Sequence, residues 1–538
     1  MTLNQIEKNK FVPNISYFLT KNSHRFHDEV AIVYAEKTWT WGEFDRRVNA
    51  LAAALIHDYA VVKGDRIIVQ SPNNHQMLEI MMAVFRVGAI WVPANVRSGL
   101  KDILHIAETS SGTLMFVESG LIAQADCCRD HVQHVIIIGG QDDNYEQLIE
   151  RYRGITVPDM PMDRDDPCWL FFTSGSTGKP KAAVLTHGQM TFAILNHLND
   201  LMPGTGQGDA SLVIAPLSHG AGAHQMTQIA AGAKSIIMSS GRLDPAEAWK
   251  MIEQWRISNM FTVPTIVKML VEHPAAEAFD HSSLRYVVYA GAPMYREDQK
   301  RALHIMGAVL VQYYGLGEVT GAITVLAPTD HYAGDGPHLL DGSCGHERTG
   351  IQVQIQSKDG AVNPPGEPGE ICVIGQAVFP GYFNNEEANK KAFRNGWFRT
   401  GDLGYMDSRG YLFITGRTSD MYISGGSNVY PREIEEVLLT HPCVSEVAVV
   451  GIPDSKWGEV GLAVCVAKPG TDPEAQEIID FVAARIAKYK VPQKVIFWKE
   501  MPKTAVGKIT KKIVLEELAA KHSAVSSAAS AVIEEENR

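Results

Sequence analysis

The chain has no long hydrophobic run and little positive charge. A membrane-spanning helix needs about 20 predominantly apolar residues, and the 538 residues contain no such run. The formal net charge is −12, which argues against a general nucleic-acid binder, because neutralising a phosphate backbone requires a basic face. The first residues, MTLNQIEKNKF, lack the apolar core of a signal peptide. We therefore expect a cytoplasmic protein with no membrane span and no nucleic-acid partner.

Cysteine is sparse and shows no metal-binding pattern. Among the seven Cys, Cys127 and Cys128 are neighbours, and the others show neither CxxC nor Cys/His spacing. An odd count without a pattern predicts reduced thiols in a cytosolic protein. The chain is too long for one hydrophobic core, so at least two domains are expected. Its apolar content of 45% and charged content of 20% are typical of a soluble globular protein.

Strand-like and helix-like stretches alternate through most of the chain. The stretch Asn14–Tyr59 is predicted to be helical, with a short strand at Trp39–Trp41, and further strands and helices alternate up to Tyr289. This alternation predicts α/β architecture with largely parallel sheets. After about Gly345, short strands and turns predict a smaller, antiparallel-rich subdomain. From Arg417 the chain restarts as a compact α+β unit, in which Pro473–Lys490 is predicted to be a helix.

A Gly-rich loop, Thr173–Lys181 (TSGSTGKPK), lies between two apolar runs that predict a β-hairpin. Its backbone N–H groups, hydroxyls and two ammonium groups suit a polyphosphate. It is not a Walker loop, because only two residues separate Gly175 from Gly178 and Pro180 follows Lys179. Taken alone, a flexible surface linker explains the composition equally well.

Four further stretches have the same loop character. In chain order they are Gln312–Glu318 (QYYGLGE), Trp397–Gly404 (WFRTGDLG), Gly416–Glu435 (GRTSDMYISGGSNVYPREIE) and Pro502–Ile509 (PKTAVGKI). The first follows an apolar strand, and ligands bind at strand ends in α/β folds. An aromatic residue there can flank an adenine ring, and Glu318 can hold Mg²⁺ near phosphates. The alternative is a tight turn with a solvated Glu.

Each of the later stretches contributes one or two candidate groups. Asp402 can accept hydrogen bonds from ribose hydroxyls, or simply close an Asx-type turn. Arg417 can hold a phosphate or a ribose, and Gly425-Gly426 lets the backbone pass close to a ligand. The same stretch equally fits an inter-domain linker followed by a capped helix. Lys508 lies in a loop, where most lysines face solvent.

Together, the order and spacing of the five stretches resemble the adenylate-forming superfamily, which includes acyl- and aryl-CoA synthetases, luciferases and peptide-synthetase adenylation domains. The resemblance covers residues from about 25 to 515. Tyr289–Pro293 (YAGAP) resembles the family's adenine-flanking loop, and Pro216–Gly220 (PLSHG) resembles its His-containing segment near the acyl pocket. The Trp457–Glu459 run (WGE) looks like the CoA-ligase branch.

The resemblance implies both a fold and a reaction. The fold is a large N-terminal domain (1–416) of two α/β subdomains and a small β-barrel-like subdomain. A small mobile α+β domain (417–521) and a disordered tail (522–538) follow. In the reaction, a carboxylate attacks the α-phosphate of ATP to give acyl-AMP and pyrophosphate, and the CoA thiol then displaces AMP. Between the two steps the C-terminal domain rotates about one position, which matches Ser419.

The same resemblance implies roles for individual residues. The catalytic residues are Lys508, which bridges the carboxylate and the α-phosphate, Glu318, which holds Mg²⁺, and His219, which flanks the acyl pocket or gates the thiol. Tyr313 is expected to stack on adenine. The ATP/AMP-binding set is Thr173, Ser174, Gly175, Ser176, Thr177, Gly178, Lys179, Lys181, Gly291, Ala292, Pro293, Gln312, Tyr313, Tyr314, Gly315, Gly317, Asp402 and Arg417. The CoA-binding set is Ser424, Gly425 and Gly426, and the acyl-pocket set is Asn196, His219, Gly222, Phe261, Ala290 and Gly315.

Two positions depart from the family pattern. Gly317 stands where the family commonly has Thr, which leaves room for the substrate or a water. Ser419 stands where the hinge is commonly Asp or Lys, and Ser can adopt the required backbone angles, so we interpret it as a neutral variant.

The identity of the acid is left open by the sequence. Asn196 would add a polar group to an apolar cavity, which favours a small, aromatic or hydroxylated acid over a long alkyl chain. A buried Asn satisfied by its neighbours fits equally well, and Gly222 and Gly317 argue for extra space.

Three hypotheses remain for the function. The first is an ATP-dependent acid–CoA ligase that uses Mg²⁺, with a homodimer as a candidate assembly. The second is an adenylating enzyme that passes acyl-AMP to a carrier-protein thiol or to oxygen chemistry; the WGE run and the lack of a carrier domain after residue 522 favour CoA. The third is a catalytically silent nucleotide-binding protein, against which Lys508, Glu318 and Asp402 argue together.

Overall fold

The chain forms two compact units in a computed structural model. The structure describes residues 10–141, 143–173, 180–239, 243–292, 294–334, 340, 342–417, 419–424, 427–454, 456–503 and 509–521. The first unit comprises Met1–Gln354, Cys372–Thr400 and Met406–Phe413, and the second comprises Ile355–Ile371, Gly401–Tyr405 and Ile414–Arg538. Within the described ranges, no helix is long and apolar enough to cross a membrane. The boundary predicted between residues 416 and 417 stays a prediction, and the tail 522–538 lies outside the described residues.

The largest sheet of the first unit has nine strands. In spatial order they are His346–Glu347, Thr324–Leu326, Leu310–Tyr314, Tyr286–Tyr289, Asn259–Thr262, Ala210–Val213, Lys234–Ile237, Val30–Tyr34 and Lys37–Thr40. The six strands from Leu310–Tyr314 to Val30–Tyr34 are parallel, and the outer strands are antiparallel to their neighbours. Parallel strands place their carboxyl ends at one edge, where α/β folds bind ligands.

A second sheet of this unit has six strands. Their spatial order is Lys181–Thr186, Pro167–Thr173, Ile90–Pro93, Arg66–Gln70, Leu114–Glu118 and His134–Ile138. The last five strands are parallel, and the first forms an antiparallel hairpin with its neighbour. The strands Phe11–Val12 and Met162–Asp163 form a separate antiparallel pair. The predicted α/β class with largely parallel sheets is confirmed.

Helices connect these strands and begin with local capping signals. Thr40 caps Trp41–His57 in a capping box with Glu43, and Thr186 caps His187–Asn196 in the same way with Gln189. Asn74 accepts a hydrogen bond at the start of His75–Arg86. The other helices that precede Ile351 in the chain are Tyr17–Arg25, Leu100–Ser110, Ile122–Cys127, Tyr145–Arg151, Gly220–Ala231, Pro245–Trp255, Pro264–Glu272 and Arg296–Met306. Short 3₁₀ turns span Ser119–Leu121, Pro274–Glu277, Gly317–Val319 and Pro328–Asp330, and a π-helical turn spans His197–Leu201.

A five-stranded sheet follows, as the change in strand character after Gly345 predicts. Its strands are Ile351–Gln356, Gly369–Gly375, Trp397–Met406 and Phe393–Arg394 in spatial order, with Leu412–Arg417 paired to Trp397–Met406. The helix Glu386–Ala392 precedes Phe393–Arg394. This sheet corresponds to the predicted small β-rich subdomain.

The C-terminal part of the second unit is an α+β fold around one sheet. The strands are Ser427–Val429, Tyr422–Ser424, Gly458–Ala467 and Val444–Asp454 in spatial order, and Lys494–Phe497 lies parallel to Gly458–Ala467. The helices are Pro431–Leu439, Ala475–Ala483 and residues 511–521, with a 3₁₀ turn at Lys488–Lys490. The apolar faces of the first two helices pack on Val449, Ala463 and Cys465.

Two predicted elements are wrong in extent. The stretch predicted as helical from Asn14 contains the strand Val30–Tyr34 (VAIVY), because a short apolar run rich in β-branched residues favours a buried strand over a helix. The predicted helix Pro473–Lys490 spans only Ala475–Ala483. The amides of Arg485 and Ile486 both bond to the carbonyl of Val482, at 2.9 and 3.1 Å, which tightens the last turn and ends the helix.

Candidate active site

The predicted hairpin places Thr173 directly opposite Lys181. Strands Pro167–Thr173 and Lys181–Thr186 pair antiparallel in that register. The two residues therefore lie side by side at one end of the hairpin. The predicted phosphate-binding residues between them, Ser174, Gly175, Ser176, Thr177, Gly178 and Lys179, lie outside the described residues.

Glu318 lies beside this end of the hairpin, although 145 residues separate it from Thr173. Thr173 Oγ1 donates a hydrogen bond of 3.0 Å to Glu318 Oε1, and Tyr382 Oη donates a second of 3.0 Å to the same oxygen. The Glu318 side chain is buried. Within the part of the chain that the structure describes, no group donates to Oε2. The carboxylate therefore keeps one oxygen for another ligand, and a hard cation such as Mg²⁺ fits such a donor.

Tyr382 connects Glu318 to the cationic end of the hairpin. Burial, and then the neighbouring Glu318 carboxylate, raise the pKa of Tyr382 well above its ordinary value. Tyr382 therefore stays a hydrogen-bond donor at neutral pH. Lys181 Nζ lies 5.2 Å from the centre of the Tyr382 ring, within cation–π range. Tyr382 carries no signal in the sequence as a site residue, because only the fold brings it to Glu318.

Gly317 does not leave the open space that its missing side chain implies. A Cβ atom at this position would lie 2.7 Å from Phe171 Cε1 and 3.1 Å from Thr173 Cγ2. The ring of Phe171 therefore occupies that space. The expectation that Gly317 leaves room for a substrate or a water is corrected accordingly. Phe171 is a second residue of this site that the sequence analysis did not identify.

The strand Leu310–Tyr314 directs its aromatic residues to opposite faces, because side chains alternate along a strand. Tyr313 is buried, and its ring lies 6.0 Å from Phe261 in a stacked arrangement and 5.9 Å from His197. Gln312 and Tyr314 are only partly buried, and Gln312 Oε1 accepts a hydrogen bond of 3.1 Å from Tyr289. The predicted stacking of Tyr313 on adenine stays a prediction. In the protein alone, its ring packs among predicted acyl-pocket residues.

Three of the six predicted acyl-pocket residues lie around Tyr313. Phe261 and Ala290 belong to one buried apolar cluster with it. Gly315 packs against the backbone of Gly321, which in turn lies against the Tyr313 ring. Because a Cβ at Gly315 would overlap that backbone, only glycine allows the close approach.

His219 lies at the start of the helix Gly220–Ala231. Its Nδ1 is 2.9 Å from Ser218 Oγ, and its ring meets Phe171 edge-on at 5.8 Å. Gly222, predicted to provide space, is tightly packed: a Cβ there would overlap the Leu217 carbonyl oxygen and lie 3.2 Å from Trp169. The interpretation that Gly222 enlarges the cavity is therefore corrected.

Asn196 is held by neighbours outside the aromatic cluster. Its Nδ2 donates to Asp200 Oδ2 at 2.9 Å and to the Thr349 carbonyl at 2.8 Å, whereas none of the described residues donates to its buried Oδ1. Asp200 lies 3.9 Å from the guanidinium of Arg348, which is fully buried. Burial lowers the pKa of Arg348 to about 10, so Arg348 stays charged at neutral pH. The alternative of a buried Asn that is satisfied by its neighbours therefore holds for the side-chain nitrogen of Asn196 but not for its oxygen.

The predicted ribose-binding residues of the second unit pair with each other. Arg417 Nε lies 2.8 Å from Asp402 Oδ1; the Asp402 side chain is buried, whereas that of Arg417 is 55% exposed. Ser424 ends its strand opposite Ser427, and the exposed Ser419 donates a hydrogen bond of 3.0 Å to Asp420. Gly291 and Ala292 are exposed after the strand Tyr286–Tyr289. Pro293, Gly425, Gly426 and Lys508 lie outside the described residues.

Comparison with known families matches most of the chain. The model of the AMP-binding enzyme family matches residues 19–383, and that of the AMP-binding enzyme C-terminal domain matches residues 433–508. Feruloyl-CoA synthase of an Amycolatopsis species is 35% identical over 89% of this chain and 94% of its own. Indoleacetate–CoA ligase of Aromatoleum aromaticum is 32% identical over 92% of this chain and 96% of its own.

Solved structures match over similar lengths. ATP-bound MatB from Rhodopseudomonas palustris has a TM-score of 0.84 at 25% identity, covering 93% of this chain and 98% of that one. o-Succinylbenzoate CoA synthetase from Bacillus subtilis, in complex with its acyl-adenylate intermediate, has a TM-score of 0.80 at 29% identity, covering 93% and 97%.

Proposed function

Because the chain belongs to the AMP-binding enzyme family and is an AMP-forming acid–CoA ligase, we propose that its substrate is an aromatic carboxylic acid. The enzyme couples ATP cleavage to thioester formation through an acyl-AMP intermediate. The observation that carries the proposal is the set of rings at the predicted acyl pocket. Phe171 and His219 form one ring pair at 5.8 Å, and Phe261 and Tyr313 form a second at 6.0 Å. The second pair lies against Gly220, the residue that follows His219.

Aromatic walls favour a flat ring, because offset and edge-on ring contacts add to the apolar area that is buried. A long alkyl chain instead needs an extended cavity, and the tight packing of Gly222 against Leu217 and Trp169 leaves none at that position. Relatives named for ferulate, indoleacetate and 2-succinylbenzoate support an aromatic acid. A relative named for long-chain fatty acids, 32% identical, supplies the competing class.

A thioester-forming screen tests the acid class. The panel runs from acetate to palmitate and includes benzoates, cinnamates and hydroxy acids, with consumption of the CoA thiol as the readout. We expect the highest kcat/KM for a ring-containing acid. Phe261→Leu should lower that value at least tenfold, while Phe481→Leu, the same change in the second unit, should leave the preference unaltered. A maximum at palmitate or acetate would refute the aromatic assignment.

Glu318 is proposed as the protein ligand of Mg²⁺. The cation would neutralise charge on the ATP phosphates as pyrophosphate leaves. Thr173 and Tyr382 both donate to Oε1 and thereby fix the carboxylate, and Oε2 stays available. Lys181, together with the residues from Ser174 to Lys179, is proposed to position the leaving pyrophosphate. The adenine is proposed to lie at the carboxyl edge of the nine-stranded sheet, where Tyr313 and Tyr314 end one strand and Gly291 follows another.

Lys508 is proposed to bridge the carboxylate and the α-phosphate in the first step, with Asp402 and Arg417 as ribose anchors. Rotation of the C-terminal domain about Ser419 is proposed to separate the two steps. Lys508→Ala should then abolish acyl-AMP formation and leave thioester formation from supplied acyl-AMP largely intact. Equal loss of both half-reactions would contradict the rotation. Ser419→Pro should trap one orientation, and normal rates of both half-reactions in that variant would remove Ser419 as the hinge.

Three further properties are proposed: the thiol that accepts the acyl group, the oligomeric state and the cellular location. CoA is proposed as the acceptor, with Ser424, Gly425 and Gly426 at its pantetheine arm. A relative named as a fatty acid–acyl-carrier-protein ligase, 29% identical, makes a carrier protein the alternative. An assay in which a carrier-protein thiol replaces CoA as the acceptor distinguishes the two. A cytoplasmic homodimer is proposed and is tested by cell fractionation and analytical ultracentrifugation.

A further inference from the structure

A surface pocket of about 410 Å³ lies at the amino edge of the nine-stranded sheet. Its wall contains Asp209, Lys234, Ser258 and Arg285, which precede or begin four neighbouring parallel strands. The predicted acyl and adenine groups follow these strands at the opposite, carboxyl edge. Strands of four residues rise about 3.3 Å per residue, so a distance of roughly 13 Å of sheet separates the two edges. The pocket is therefore distinct from the reacting site.

The pocket is basic although the protein is acidic. Lys234, Arg256 and Arg285 line the pocket together with one carboxylate, that of Asp209, so three cations and one anion leave a local charge of +2 against −12 for the whole chain. Asp209 is already engaged, because its Oδ1 lies 2.6 Å from Arg285 Nη2 and its Oδ2 accepts a bond from the Gly206 amide.

The other two cations, Lys234 and Arg256, have no counter-ion within the described ranges of the chain. Among the residues that the structure describes, none forms an ion pair or a hydrogen bond with the side chain of Lys234 or Arg256. The pKa of Asp280 is lowered chiefly by hydrogen bonds from Ser282 and less by Arg256, so that carboxylate lies near Arg256 without pairing with it. Two cations that line one cavity, both without a partner among the described residues, match a multiply charged oxyanion, which guanidinium and ammonium groups bind by charge-assisted hydrogen bonds.

We propose that this pocket binds a phosphate-bearing small molecule. Lys234 and Arg256 hold the phosphate oxygens, Arg285 adds a third positive charge, and Trp255 provides an aromatic wall for an organic group. Trp255 is partly buried and packs against a hydrophobic core cluster of the first unit, and this packing restricts its ring. The proposal concerns a second site and does not depend on which acid the enzyme activates.

Calorimetric titration of the full-length enzyme at low salt tests the proposal, with inorganic phosphate, pyrophosphate and AMP as separate probes. The variant Lys234→Gln/Arg256→Gln removes the two unpaired cations. Lys250→Gln/Lys390→Gln is the matched control, because it removes the same charge from exposed positions outside the pocket. We expect the wild type and the control to show two pyrophosphate-binding events, and the pocket variant to lose one of them or bind it at least tenfold more weakly.

Activity and a single substitution distinguish the remaining outcomes. ATP–pyrophosphate exchange should be unchanged in the pocket variant, because the reacting site lies at the other edge of the sheet. Trp255→Ala should weaken AMP at this site and leave pyrophosphate unaffected if the organic group lies on the ring. A pocket variant whose titration superimposes on that of the wild type overturns the proposal, as does a single binding event in the wild type. If the double variant does not fold, Lys234→Gln alone decides by the same criterion.

Discussion

The ring of Phe171 fills the space that a side chain at Gly317 would occupy. The two residues are 146 positions apart, yet a Cβ at Gly317 would lie 2.7 Å from Phe171 Cε1. A large residue on the hairpin strand thus compensates for a small one beside Glu318. Phe171 also makes an edge-on ring contact with His219 at 5.8 Å, so the pair links the predicted phosphate side of the site to the predicted acid side.

This complementarity predicts that Gly317→Thr alone lowers the rate of ATP–pyrophosphate exchange, and that the loss is smaller when Phe171 is replaced by alanine as well. Threonine would have to displace the Phe171 ring, and overpacking of this kind costs about 1–3 kcal/mol. We expect ATP–pyrophosphate exchange to fall at least tenfold in Gly317→Thr. Adding Phe171→Ala should restore part of the rate, giving a coupling energy of about 1–2 kcal/mol in a double-mutant cycle. Additive losses in the cycle would show that the two positions are independent.

The hydrogen bonds on Glu318 predict a role for Tyr382 that activity at varied Mg²⁺ can isolate. Tyr382→Phe removes one of two donors to Oε1 and leaves the carboxylate less well oriented. A bond to a charged group is worth about 1.5–3 kcal/mol, so the Mg²⁺ concentration for half-maximal exchange should rise at least tenfold. Glu318→Gln should raise it further. Tyr411→Phe, a partly buried tyrosine away from Glu318, is the control.

An unchanged Mg²⁺ titration in Glu318→Gln would refute the ligand role of Glu318. An unchanged titration in Tyr382→Phe alone would leave Glu318 as the ligand and assign its orientation to Thr173.

Local sequence predicted those parts of the site that depend on neighbouring residues. The hairpin around Thr173–Lys181 follows from two apolar runs on either side of a Gly-rich loop, and the strand before Gln312 follows from its apolar character. Alternation of strands and helices was enough for the fold class. Each of these features is encoded within about ten residues, where periodicity and turn chemistry act directly.

Long-range packing was not predictable in this way. Phe171 against Gly317 and Tyr382 on Glu318 each join segments 64 or more residues apart, and no local pattern encodes such a contact. For the same reason the sequence predicts extra space at Gly222, although Leu217 and Trp169 lie tightly against it. A glycine in the sequence is compatible with two situations: a side chain would not fit at that position, or the position is open and none is needed. The residues that the fold packs against the glycine decide between the two.

A buried charge network in the first unit predicts a large stability effect. Arg47 binds Glu79 through Nε at 2.6 Å and binds Glu146 through Nη2 at 2.7 Å, and the Glu79 side chain has no exposed surface. Burial raises the pKa of Glu79, and Arg47 opposes that shift. Removing Arg47 would leave a buried carboxylate with the Tyr145 hydroxyl as its donor.

Arg47→Met should therefore lower the free energy of unfolding by about 3–5 kcal/mol, measured by urea denaturation at pH 7. Glu79→Gln in the same chain should recover part of the loss, because it removes the unpaired charge. The exposed pair Arg151–Asp58 is the comparison, and Arg151→Met should cost no more than about 1 kcal/mol. Equal losses at the two arginines would show that burial does not govern the effect.

His224 predicts how stability depends on pH. Its ring is fully buried, its Nε2 lies 2.9 Å from Asn259 Oδ1, and burial lowers its pKa from 6.5 to about 4. As the pH falls below 6.5, the unfolded chain takes up the proton first, so the stabilising contribution is complete above 6.5 and is lost progressively down to about 4. One such histidine lowers the free energy of unfolding by about 1.5 kcal/mol between pH 6.5 and pH 5.

Other histidines add to the loss, so the readout is the difference in the free energy of unfolding between wild type and His224→Gln. The variant is expected to be less stable at pH 7 but to lose about 1.5 kcal/mol less over this interval. Parallel pH profiles would mean that His224 has the same pKa in both states and that burial of its ring does not exclude the proton.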